Sequence, residues 1–272
     1  MKFLCILWIV FSAYTLQAQD NCNAFLWEGD TAKYKSCMYV QRAPSHFQLT
    51  RQFHEIRDVA IKMAPHYSYP YWAKSIAYLK TGDFITWKPL IDSAVSLDEE
   101  KYLGYRGWCR FQFFRDYEGA IRDFKRLEEL FDGDDIGYSQ NGDYHLTMAK
   151  ALCFKMLGEK ERAVQIMEEH LGKTAAIMPY DYLHLGVMHL NMQRYDDALD
   201  AFGKQSEFNE LADNQYYIAK AHNALGDETQ KRIALEFAAE LYAQRRFMND
   251  VYTHPVDKVY LEQIEEELLK LN

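Results

Sequence analysis

Gly107-Trp108-x2-Phe111-x4-Asp116-Tyr117-x2-Ala120-x3-Phe124-x2-Leu127 reads as two amphipathic helices around one short turn. Apolar residues at i, i+3, i+4 and i+7 mark helices and not strands. The pattern returns at Leu185-Gly186-x2-His189-x5-Tyr195-x2-Ala198-x3-Phe202. Copies recur about every 33 to 35 residues, the period of one helix-turn-helix unit packed on the next. Units open near Ser68, Lys101, Tyr144, Pro179 and Ala212. A stack of this kind offers a surface for partners more than a pocket for chemistry.

Each unit fills the same slots. A small residue stands where the helices cross: Ser75, Ala151, Gly186 and Ala219, with Trp108 departing. A ring follows three residues later at Tyr78, Phe111, Phe154, His189 and His222. Glycine marks the turn at Gly82, Gly158 and Gly226, where a helix ends in the left-handed conformation. The second helix carries Ala120, Ala163 and Ala198, then a large apolar residue at Ile91, Phe124, Met167, Phe202 and Leu235. Trp87 takes the alanine slot of the first unit and Pro89 follows, so that helix is expected to start late, with Thr86 as N-cap. Lys231 takes the slot in the last unit, which predicts the loosest packing there.

This small-then-large spacing over roughly Ser68 to Gln244 resembles the tetratricopeptide repeat (TPR) family. The resemblance implies an all-α chain, an α-solenoid of stacked TPR-like helix-turn-helix repeats with flanking capping helices. The expected organisation is a signal peptide over 1–18, an N-terminal flank with a partial repeat over 19–67 and the array over 68–246. Residues 247–272 complete it as a linker, Val251 to Pro255, and a capping helix over 256–271.

Lys2, the apolar run from Phe3 to Ala13 and Leu16-Gln17-Ala18 have the form of an export signal. That run is shorter than the ~20 residues a spanning helix needs, so no membrane insertion is expected after cleavage. The expected location is periplasmic or extracellular. The net charge of −9 and the lack of a basic block argue against nucleic acid. An oxidising compartment permits a Cys22–Cys37 disulfide, which would contribute about 3 kcal/mol. Cys109 and Cys153 are expected to act as small apolar core residues.

The one long insertion, 131–143, is the candidate functional loop, with Asp132, Asp134, Asp135, Tyr138, Asn141 and Asp143. Asp132, Asp134, Gly137 and Asp143 fall on the first, third, sixth and twelfth places of a calcium loop. Ile136 at a ligand place and Asp instead of Glu at the last favour a solvated acidic turn. No metal or phosphate motif appears, His189 and His222 read as core residues, and no stretch is left for a catalytic domain. The chain is therefore expected to bind no cofactor and to be no enzyme.

By the TPR resemblance, first helices line a concave groove. The candidate partner-binding residues are Tyr69, Trp72, Tyr102, Tyr105, Phe113, His145, Tyr180 and Tyr216. Such rings are the usual anchors of a protein or peptide. Stacking on sugar rings is the second reading. A third has the rings packing on one another or under the chain's own flanks.

Overall fold

The computed structural model describes residues 20–133 and 135–271. The expected signal segment 1–18 and Asp134 lie outside the described residues. Among the described residues the chain is all-α, an α-solenoid of stacked helix-turn-helix pairs. It divides into two compact units, residues 20–77 and 78–271, and the division falls inside one helix.

The first unit holds α1 (Cys22–Trp27), α2 (Thr31–Arg42), α3 (Arg51–Met63) and most of α4 (Ser68–Thr81). Cys22 and Cys37 are joined in a disulfide that ties α1 to α2, with Cα atoms 5.6 Å apart. Both cysteines are buried beside Ala64 and Tyr67. Ser36 donates to the Ala60 carbonyl at 2.8 Å and closes α2 on α3. Asp30 and Thr50 cap α2 and α3 by accepting from the backbone N–H three residues on.

The second unit continues with α5 (Phe84–Leu97), α6 (Glu99–Cys109), a π-helical turn (Arg110–Phe114) and α7 (Tyr117–Leu130). Then come α8 (Leu146–Met156), α9 (Lys160–Lys173), α10 (Asp181–Asn191), α11 (Tyr195–Phe208), α12 (Ala212–Leu225), α13 (Glu228–Ala243) and α14 (Leu261–Leu269). The pairs α6–α7, α8–α9, α10–α11 and α12–α13 pack internally and each rests on the next.

In the turns that follow α4, the π turn, α8, α10 and α12 the cap residue is left-handed. Gly82, Arg115, Gly158, Gln193 and Gly226 all have φ between 54° and 85°. Two of the five are not glycine, although glycine adopts this conformation without steric cost.

Four expectations are corrected. Helix α5 begins at Phe84, not after Thr86, because Asp83 caps it by accepting from the Thr86 N–H at 3.0 Å. Pro89 then lies inside the helix; the carbonyl it leaves without a donor belongs to Ile85, which is 89% exposed and open to water. The last unit is not loose: Ala234, Leu235, Ala238 and Leu241 are buried, and Lys231 lays its stem in the core and donates to Asn223 at 2.6 Å. The small slot of the second unit is Gly107, not Trp108. A Cβ on Gly107 would lie 2.7 Å from the Phe124 ring, as one on Gly186 would lie 2.3 Å from Phe202. One residue more separates Gly107 from its cap than separates Gly186 from its own, and the π turn absorbs it. Finally, the last helix starts at Leu261, so Val256, Val259 and Tyr260 precede it.

Candidate functional site

Residues 246–260 follow α13 and run without regular structure until α14. The stretch expected to be a linker is instead a strap across the first helices of the second unit. At the π turn after α6, Gln112 donates to the Thr253 hydroxyl at 2.6 Å. From α8, Lys155 Nζ sits 2.5 and 2.6 Å from the two carboxylate oxygens of Asp257. From α10, His184 Nδ1 is 2.7 Å from the same carboxylate. On α12, Asp213 accepts from the Met248 N–H at 2.8 Å and the Val259 N–H at 2.7 Å. One buried carboxylate thus closes both ends of the strap.

The charges are balanced inside the core. Burial opposes ionisation of Asp257, but the Lys155 ammonium and His184 outweigh it, and its carboxyl titrates below the usual carboxylate range. Burial pushes His184 down despite Asp257, so the neutral ring donates its Nδ1 proton to the carboxylate. Asp213 is raised by burial, against the two strap N–H groups that favour its charged form.

Five of the eight candidate groove residues are buried. In the second unit Tyr102, Tyr105, His145, Tyr180 and Tyr216 are at most 9% exposed, while Phe113 is half-buried. His145 is engaged at the start of α8: its Nδ1 accepts from the Thr147 N–H, its Nε2 lies 2.7 Å from Asp135, and its ring stacks on His170. Within the first unit, Tyr69 and Trp72 are half-buried against Phe53, Ala73 and Ala77.

The acidic insertion is a fastened turn. The Asp135 carboxyl is lowered by the Gly137 N–H and then by His145. Ser139 and Tyr144 pair at 2.8 Å, Tyr138 bridges to His145, and Asn141 donates to Asp143 at 2.6 Å. Asp132 is exposed with φ of 52°. Among the described residues no group of three His, Cys, Asp or Glu could hold a metal ion. Cys109 and Cys153 are buried free thiols, and burial raises both far above the usual thiol range.

A cavity of about 380 Å³ stays open beside the strap. Rings of Phe111, Tyr117, Tyr217 and Tyr260 line it, together with the cations of Arg115 and Lys258 and with Asp257, whose carboxylate Lys155 already neutralises. Neither cation has an ion-pair partner among the described residues. Lys258 instead lies over the rings of Phe247 and Tyr260, 5.3 and 5.6 Å from their centroids. Sequence reasoning missed both: one sits in a turn and the other in a stretch without periodicity.

By sequence, the chain matches no protein-family model and no curated protein. Solved structures share its architecture. PilW, a type IV pilus biogenesis factor, aligns with TM-score 0.60 at 12% identity, over 90% of this chain and 94% of that one. The pilF protein of Pseudomonas aeruginosa aligns with TM-score 0.57 at 11% identity, over 90% and 94%. The Cut9–Hcn1 hetero-tetramer of the APC/C aligns with TM-score 0.57 at 12% identity, over 92% of this chain but only 44% of that longer one. The fold is that of tetratricopeptide repeat proteins. At these identities the likeness concerns the fold alone. No helix among the described residues is long and apolar enough to cross a membrane.

Proposed function

We propose that this chain is an exported, non-catalytic TPR scaffold that holds a protein or peptide partner. The partner's acidic group is received in the cavity beside the strap. The observation that carries this reading is the pair of cations without ion-pair partners, Arg115 and Lys258, among four aromatic rings in a protein of net charge −9. Rings with a cation at the rim suit an acidic side chain or a C-terminal carboxylate flanked by apolar residues. The strap supports the same reading, because it is an extended peptide already held by side chains of the first helices. Export is supported by the Cys22–Cys37 disulfide, a bond that persists in oxidising compartments.

The test is crosslinking of the tagged full chain in its native host, followed by mass spectrometry. Wild type is run beside Arg115→Glu/Lys258→Glu. A partner crosslinked by wild type and lost from the double variant, at unchanged melting temperature, is the expected result. Equal capture by both would refute the cavity as the site.

A further inference from the structure

Helix α3 carries two stripes. Phe53, Ile56 and Ala60 face inward and are buried. Gln52, Glu55, Ile56, Val59 and Met63, at helical spacing, line an open cleft of about 890 Å³. Helix α2 lines the opposite wall with Tyr34, Lys35, Met38, Tyr39 and Arg42. Val59, Met63 and Tyr39 are 37–39% exposed, and Phe47 in the loop between the two helices is 72% exposed. The α2–α3 pair presents an apolar furrow of the kind that one more helix would fill.

The charge around the furrow is unlike the rest of the chain. Residues 31–63 hold six Lys and Arg against two Asp and Glu, whereas the whole chain carries −9. Glu55 is engaged by Arg51 at 2.6 Å. Lys35 and Arg42 line the cleft, are exposed, and have no ion-pair partner among the described residues. An occupant therefore brings apolar residues for the floor and carboxylates for the rim. The chain's own α14 is acidic at Glu262, Glu265 and Glu266, but its Ile264 stripe is already buried in the second unit, which disfavours a second copy as the occupant.

We infer that the α2–α3 cleft docks an acidic amphipathic helix of a partner protein, which packs on this helix pair as a third helix. The inference concerns a surface separate from the strap cavity and stands without it.

The probe is a synthetic helical peptide of about 18 residues, with Leu on one face and Glu on the other. A second peptide has Lys in place of Glu, and a third scrambles the Leu positions. Binding to the full chain is read by fluorescence anisotropy at low and high salt. The Glu peptide is expected to bind, at least tenfold more tightly than the other two, and to weaken with salt. Lys35→Glu/Arg42→Glu should lose at least tenfold for the Glu peptide, and Val59→Asp should abolish binding. All three positions are exposed, and an unchanged melting temperature checks that each variant folds. Equal binding of the three peptides would overturn the inference, as would an unchanged affinity in the charge-reversed variant. So would Val59-dependent dimerisation in light scattering, or Val59-dependent binding to phosphatidylglycerol vesicles without peptide binding, which would assign the cleft to a second copy or to a membrane.

Discussion

Replacing Asp257 by alanine removes the charge to which Lys155 and His184 converge. The Lys155 side chain is 10% exposed and that of His184 is 0% exposed, so neither can turn to water without opening the strap. Leaving one member of a buried ion pair without its partner costs about 3–5 kcal/mol. The strap has a second fastening at Asp213, which holds the Met248 and Val259 N–H groups. Two outcomes follow from that. If the strap and the helices unfold together, denaturant melts should report the whole loss. If the strap opens first, the global loss is smaller, and hydrogen exchange across 246–260 accelerates while α6 to α13 stay protected. The pair also predicts a rescue. Lys155→Met/Asp257→Leu removes both charges and fills the space with apolar side chains, and should recover most of the stability. Asp257→Ala and Lys155→Met each within about 1 kcal/mol of wild type, with unchanged exchange in the strap, would refute the reasoning, since buried uncompensated charge cannot be that cheap.

Burial pushes the Asp181 carboxyl up to about 7, against one hydrogen bond from the Met178 N–H. The folded chain therefore holds a proton there that the unfolded chain gives up near the ordinary carboxylate value, and the associated stability is present at low pH and lost as pH rises through 7. Asp181→Asn should stabilise the protein at pH 8 by at most about 4 kcal/mol relative to wild type, and by little at pH 4, in paired thermal melts. Gly186→Ala should destabilise by about 1–3 kcal/mol, because the added Cβ meets the fully buried Phe202 ring at 2.3 Å. Gly203→Ala, on an exposed face of α11 with nothing within 4 Å, should stabilise by about 0.5–1 kcal/mol, so the two substitutions have opposite signs in one denaturation assay. Arg115→Gly and Gln193→Gly should each gain about 1 kcal/mol by relieving a left-handed non-glycine cap, but only Arg115→Gly should lose partner capture.

The helical stack was legible because its signal is periodic. Gly186 against Phe202 and Ala120, Ala163 and Ala198 at the crossings each rest on a recurring spacing, and close packing enforces each one. Reading Trp108 as the departing slot failed for one physical reason. A π turn adds a residue without breaking the helix, and a fixed period cannot register an insertion that the backbone absorbs locally. Lys231 misled because a lysine stem can be core while its ammonium finds Asn223. The strap was read as a linker because extended chain held by side chains has no period. A compositional signal was present, however. Phe247, Met248, Val256 and Val259 make 246–260 too apolar for a solvated connector, and the stretch lacks glycine and serine.

The strap also moves the question of specificity. Tyr102, Tyr105, Tyr180 and Tyr216 are buried, so these rings are not open to a partner beside the strap. With the strap in place, the first helices spend their polar side chains on the chain itself: Gln112 on Thr253, Lys155 and His184 on Asp257, Asp213 on two N–H groups. What remains free for a partner comes from elsewhere, from a turn and from the strap. Arg115 illustrates the consequence. Three of the five caps use glycine, the least strained choice, whereas Arg115 holds φ of 54° at a cost of about 1 kcal/mol. Gln193 shows that a non-glycine cap alone means little, because it does not line the cavity. The strain becomes informative at Arg115 because there it falls on an exposed cation without an ion-pair partner that lines an aromatic cavity, and strained backbone at such a place is a reason to look for a ligand.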